Sequence, residues 1–283
     1  GQTWFNSKAP VVSWKHVAAN ANNGNTLWAT SKDGLYYSSD QGVEGSLRLA
    51  DPSTGWDLVD TVSSGDMVMA TRTGDGHDGV YVGVFDGTGS RRNLRADVGA
   101  WSEQFNIKEV HRRTHSKGSA TTARRLDTSS DEYIWGQSGV SADYTGVAMS
   151  NTSAFMVAVS SGATSDNAGE YISFDGGSEW QHPVLGAQFE CVCSSGTGQY
   201  VYTSVAPMDG LPSAVTRSDD YGKNWMGTSG VPNSTSFPVV GMATSSTGQF
   251  VTAVSSYQPI YISSDFGQTY SAAGGTPVDS LFG

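Results

Sequence analysis

Ser173-Phe-Asp175-Gly-Gly177-Ser-Glu-Trp180 is followed by Ser218-Asp-Asp220-Tyr-Gly222-Lys-Asn-Trp225 and by Ser263-Ser-Asp265-Phe-Gly267-Gln-Thr-Tyr270. All three read Ser-x-Asp-x-Gly-x-x-aromatic, and their aspartates are 45 residues apart. A fixed period of this length is the mark of a repeat architecture. Before each box come short runs rich in β-branched and aromatic residues, such as Ala154-Phe-Met-Val-Ala-Val-Ser and Gln249-Phe-Val-Thr-Ala-Val-Ser. Gly, Ser, Asn or Asp bounds each run, which is the pattern of strands joined by tight turns. Three strands precede a box and one, carrying the aromatic, follows it. Four strands per repeat predict the blades of an all-β propeller.

Stepping back from Asp175 by 44, 45 and then 46 residues reaches Asp131, Asp86 and Asp40. Around Asp40 the Ser, Asp and Gly persist without the aromatic. Around Asp131 only Ser129 matches the box in place, and Asp131 and Asp86 rest mainly on spacing. Six registers predict six blades in a single domain, 1–283. The start, Gly1-Gln-Thr-Trp4, matches the tail of a box. Residues 276–283 align with the first strand that opens at Pro238. The two ends are therefore expected to build part of a closing seventh blade, or else to be short additions to a ring of six.

The box has a structural chemistry. Asp and Ser side chains bond nearby backbone, and Gly supplies a left-handed turn residue. Once per repeat, Asp40, Asp175, Gly177, Trp180, Asp220, Gly222, Trp225, Asp265, Gly267 and Tyr270 are expected to be scaffold. The boxes resemble the Asp-box of the bacterial-neuraminidase repeat. Sialidases, sortilin-type receptors, xyloglucan-degrading glycosidases and a photosystem II assembly factor carry that repeat. The resemblance implies a propeller and leaves the activity open. A sialidase would need three arginines on a carboxylate, but Arg217 is the one arginine after Arg125, and the early Arg-Ile-Pro motif is absent.

Charge is the most uneven property. The chain carries −11 overall, with 16 bases against 27 acids, which disfavours nucleic acid as a partner. Yet nine bases lie between Arg91 and Arg125, opposed by only Asp97, Glu103 and Glu109. Arg91, Arg92, Arg95, Arg112, Arg113, Arg124 and Arg125 are the expected binding residues, for an acidic protein surface or an acidic glycan. Solvated loops with scattered arginines are the plainer reading. The aromatic content of 11% argues for a packed chain, and no apolar run reaches the length of a membrane span.

No catalytic set stands out. Asp57, Asp60, Asp143, Glu170, Glu190 and Asp209 could serve a glycoside hydrolase, but no spacing selects a pair. No Gly-x-Ser-x-Gly elbow is present. Asp75–Asp78 and Asp166–Glu170 offer oxygens for calcium without the spacing of a calcium loop, so turn chemistry accounts for both. Cys191 and Cys193, two apart on one strand, read as buried thiols, with a strained disulfide or half a metal site as the sharper reading. No metal or cofactor is expected. Asn151-Thr-Ser and Asn233-Ser-Thr fit the glycosylation pattern and suit an extracellular or lumenal setting. The expected role is a non-catalytic binding or assembly module with a protein or glycan partner, and membership of a larger assembly is in keeping with it. A glycoside hydrolase with carboxylates in the central cleft is the alternative.

Overall fold

A computed structural model describes residues 9–20, 24–43, 46–65, 67–74, 78–85, 109–110, 133–137, 141–162, 168–206, 214–231, 238–256 and 258–274. Every regular element among them is a strand. The strands form antiparallel sheets that follow one another along the chain, as the repeat predicts. The chain divides into two compact units, 1–141 with 177–179, and 142–176 with 180–283.

The first unit holds two sheets. One is β1 (Trp14–Ala19), β2 (Leu27–Ser31), β3 (Gly34–Ser38) and β4 (Arg48–Asp51), in that order. The other contains β5 (Trp56–Thr61), β6 (Met67–Arg72), β7 (Gly79–Phe85), β8 (Glu109–Val110) and β9 (Tyr133–Gln137), ordered β5-β6-β7-β9-β8. Here β7 pairs directly with β9, although residues 86–132 lie between them, and β8 adds an outer edge. Trp28, Leu35, Val59, Val68 and Tyr81 form the core of this unit.

The second unit holds three sheets in plain chain order. They are β10 (Tyr144–Met149), β11 (Met156–Ser160), β12 (Gly169–Ser173) and β13 (Gln181–Leu185); β14 (Phe189–Ser194), β15 (Val201–Val205), β16 (Ala214–Ser218) and β17 (Met226–Gly227); and β18 (Val239–Thr244), β19 (Val251–Ser255), β20 (Tyr261–Ser263) and β21 (Ser271–Ala272). β11 and β12 bury every side chain, whereas β13 at the edge is exposed to half-buried. The described residues thus make five sheets. Asp86 and Asp131 lie outside the described residues, as do 1–4 and 276–283.

Each box forms the turn between the third and fourth strands. The serine hydroxyl donates to the aspartate at 2.8 Å in all four boxes, Ser38 to Asp40, Ser173 to Asp175, Ser218 to Asp220 and Ser263 to Asp265. In three of them the same oxygen accepts the glycine N–H, from Gly42, Gly222 and Gly267. The glycines are left-handed as expected, but so are the residues before them, Gln41, Tyr221 and Phe266, at φ 66°, 66° and 60°. Two bonds to one serine hold a non-glycine residue where its Cβ is disfavoured. Trp180, Trp225 and Tyr270 stand one residue ahead of the fourth strand rather than on it.

Within each unit, successive sheets are keyed together by a side-chain hydroxyl of one sheet that bonds a backbone carbonyl of the next. Thr30 donates to the Asp57 carbonyl at 2.6 Å, Thr145 to that of Phe189 at 2.6 Å, and Ser204 to that of Val239 at 2.8 Å. Phe155 lies on Gly198 and Tyr200 on Gly248, where a Cβ would come within 2.5 and 2.8 Å of the ring. Only glycine allows that approach.

Candidate functional site

The first strand of every sheet carries a register shift near its start. A bulge re-aims the side chain it carries. The residues at this position are Lys15, Asp57 with Leu58, Thr145, Glu190 and Val240. In the first unit they form a pair, in which Lys15 Nζ bonds Asp57 Oδ1. The second Asp57 oxygen takes the Thr73 hydroxyl. That carboxylate is neutralised and anchored, and suits a structural cross-link between sheets better than a general acid. In the second unit the same position offers Thr145, Glu190 and Val240, one carboxyl among neutral neighbours.

The other carboxyl of interest is Glu170, on β12 beside the turn of the next box. It is 0% exposed. Trp225 Nε1 donates to its Oε2 at 3.2 Å, and its Oε1 has no hydrogen-bond partner. Burial pushes its acid up to about 8, against the smaller pull of the Trp225 bond, and the nearby Asp220 charge raises it further. Asp220 itself is held below the ordinary range. Desolvation opposes this, but bonds from Asn224 and Ser218 outweigh it. Two carboxyls pushed apart in this way resemble an acid–base pair. The resemblance fails on access, since Glu170 is sealed from solvent and Asp220 is committed to its turn.

The remaining sequence candidates are scattered. Asp60 lies on β5, Asp143 just ahead of β10, and Asp209 outside the described residues. Among the described residues no group of three or more His, Cys, Asp or Glu is placed to hold a metal ion. Of the two calcium candidates, Asp75 and Asp166 lie outside the described residues, and Glu170 turns inward to Trp225. Cys191 and Cys193 form no disulfide. Cys191 is buried against Ser204 Oγ at 3.2 Å, and burial pushes its thiol up to about 11.

Arg91, Arg92, Arg95, Arg112, Arg113, Arg124 and Arg125 lie outside the described residues. What the structure gives is their attachment. The chain leaves β7 at Phe85, returns to the sheet at Glu109 and Val110, and re-enters it at Tyr133.

No known family profile matches the sequence, and no curated protein matches it. Solved structures do. The GH74 xyloglucanase from Xanthomonas campestris is 11% identical with a TM-score of 0.51, over 90% of this chain and 38% of that one. YCF48 bound to D1 peptide is 13% identical with a TM-score of 0.50, over 93% and 68%. Kuenenia stuttgartiensis hydrazine synthase is 12% identical with a TM-score of 0.53, over 88% and 64%. This chain therefore spans well under half of the xyloglucanase and just under two thirds of the hydrazine synthase chain. Identity this low speaks for fold alone, and the fold is a β-propeller of four-stranded antiparallel blades.

Proposed function

We propose that this propeller is a non-catalytic binding or assembly module that recognises an acidic protein surface or acidic glycan through the basic stretch 91–125. The observation that carries the reading is the charge distribution. Nine of 16 bases fall in that stretch of a chain whose net charge is −11. Strands β7, β8 and β9 flank it along the chain. YCF48, a structural neighbour, binds a peptide, which lends support to a protein partner. The anchored Asp57 and the sealed Glu170 favour binding over hydrolysis. An extracellular or lumenal setting belongs to the same reading. Asn151 lies on an exposed turn between β10 and β11, as a glycan acceptor would, while Asn233 lies outside the described residues.

The test is retention on immobilised heparin and on polyglutamate over a salt gradient. The protein should elute later than its net charge implies, and the Arg112→Glu, Arg124→Glu double variant should elute with the unbound fraction. Equal elution of the two proteins overturns the reading.

A further inference from the structure

Glu170 occupies a place in the repeat that is apolar elsewhere. Counting five residues back from each box aspartate gives Leu35, Glu170, Val215 and Ile260. Leu35 and Val215 are core residues of their sheets. Among the four described boxes, one therefore has a carboxyl where the other three have an aliphatic side chain.

The geometry points to Glu170 and Trp225 as a proton-operated latch between the third and fourth sheets, closed while Glu170 is protonated and released when it ionises. Among the described residues the groups that face Glu170 are few. The fourth sheet presents Trp225, which donates one N–H, and Asp220, whose charge opposes ionisation. It also presents Gly222, on which a Cβ would stand 2.4 Å from Oε1. Lys223 acts on Asp220 rather than on Glu170. Within its own sheet Glu170 is paired with Val159 on β11 and Val184 on β13. The imidazole on β13, His182, is stacked on Tyr171 at 4.1 Å.

A neutral carboxyl fits this setting, because one indole N–H meets one oxygen and the strand partners on either side are Val159 and Val184. A carboxylate does not fit. It would have one donor for two charged oxygens, no solvent and a like charge nearby, which is among the costlier arrangements in a protein. The way to hydrate it is to part the joint. The acid's rise to about 8 puts the release at mildly alkaline pH. The joint between the fourth and fifth sheets is a built-in control. There Val215 stands in the same place, in one core with Tyr202 and Tyr270. The latch does not depend on the basic stretch or its ligand.

Hydrogen exchange of the full chain tests it, at about pH 6.5 and about pH 9, after correction for the intrinsic rate. Amides of the box at 218–225 should lose protection about tenfold or more at the higher pH, while those of the box at 263–270 keep theirs. Glu170→Val and Glu170→Gln, neither of which can ionise, should hold protection at both pH values. Trp225→Phe removes the one bond that favours the charged form, so its release should move to higher pH. Equal loss at both boxes, no loss in the wild type, or the same loss in Glu170→Val overturns the latch.

Discussion

Tyr202 and Gly248 belong to different sheets and share a hydrogen bond of 2.6 Å, from the phenol to the carbonyl. Tyr202 is fully buried, and its ring also lies on the box glycine Gly267. Tyr202→Phe keeps the packing and strands the carbonyl. It should cost about 1–2 kcal/mol, read from the urea midpoint with an unchanged slope.

Gly267→Ala should cost more. Its φ is +72°, and a Cβ would lie 2.6 Å from Cε1 of the Tyr202 ring. Left-handed strain and a displaced buried ring together suggest about 2 kcal/mol or more, by thermal or urea unfolding. Gly74→Ala makes a useful comparison. Its φ is +92°, but nothing lies within 4 Å, so strain acts there without a clash.

Glu170→Val should stabilise the protein, and by an amount that depends on pH. The folded acid is raised to about 8 from an ordinary 4.5. The folded state therefore keeps a proton that the unfolded chain gives up. Wild-type stability should fall as pH climbs from about 4.5 to about 8 and then level off. The valine variant should lack this contribution, leaving a gap of order a few kcal/mol at alkaline pH. Urea midpoints across that range measure it. Parallel curves for the two proteins would show that Glu170 titrates normally.

At acid pH the boxes should act with the opposite sign. Thr269, through its hydroxyl and its N–H, and then Ser263 hold Asp265 down at about 2. The hydroxyls of Ser46 and Ser38 lower Asp40. Folded carboxyls held low contribute stability above the unfolded value of about 3.9 and lose it as pH falls toward 2. Asp265→Asn should weaken the pH dependence in that window, as urea midpoints would show.

The two thiols should differ in reactivity. With Cys191 raised to about 11 and buried, iodoacetamide at about pH 8 should leave it unlabelled in the native protein and modify it only after denaturation. Peptide mapping reads the result directly.

Much of the blade architecture was legible because box chemistry is local. Ser218, Asp220 and Gly222 satisfy one another within five residues, so spacing alone reports the turn. Glu170 was named only as one of several carboxyls, and the signal that sets it apart lies in comparison between repeats. A carboxyl aligned with Leu35, Val215 and Ile260 marks a special joint, whereas the same residue taken singly looks like one more acid. The first-strand bulges were not legible. They arise where Thr145 and Ser204 reach carbonyls of the next sheet, and nothing within a six-residue strand encodes that partner. Nor did the left-handed Tyr221 and Phe266 show in sequence, since two bonds to a serine oxygen override the usual preference for glycine or asparagine.

The direct pairing of β7 with β9 makes the residues between them a cassette. Closing a longer loop costs only about 0.6 kcal/mol per doubling of its length. The blade would thus lose little by carrying this stretch, and would gain little from a short turn in its place. Length and charge can then change on either side of β8 without disturbing the pairing of β7 with β9. A chain with other sequences grafted between Phe85 and Glu109, or between Val110 and Tyr133, should keep the sheet as it is here, with its binding preference set by the graft.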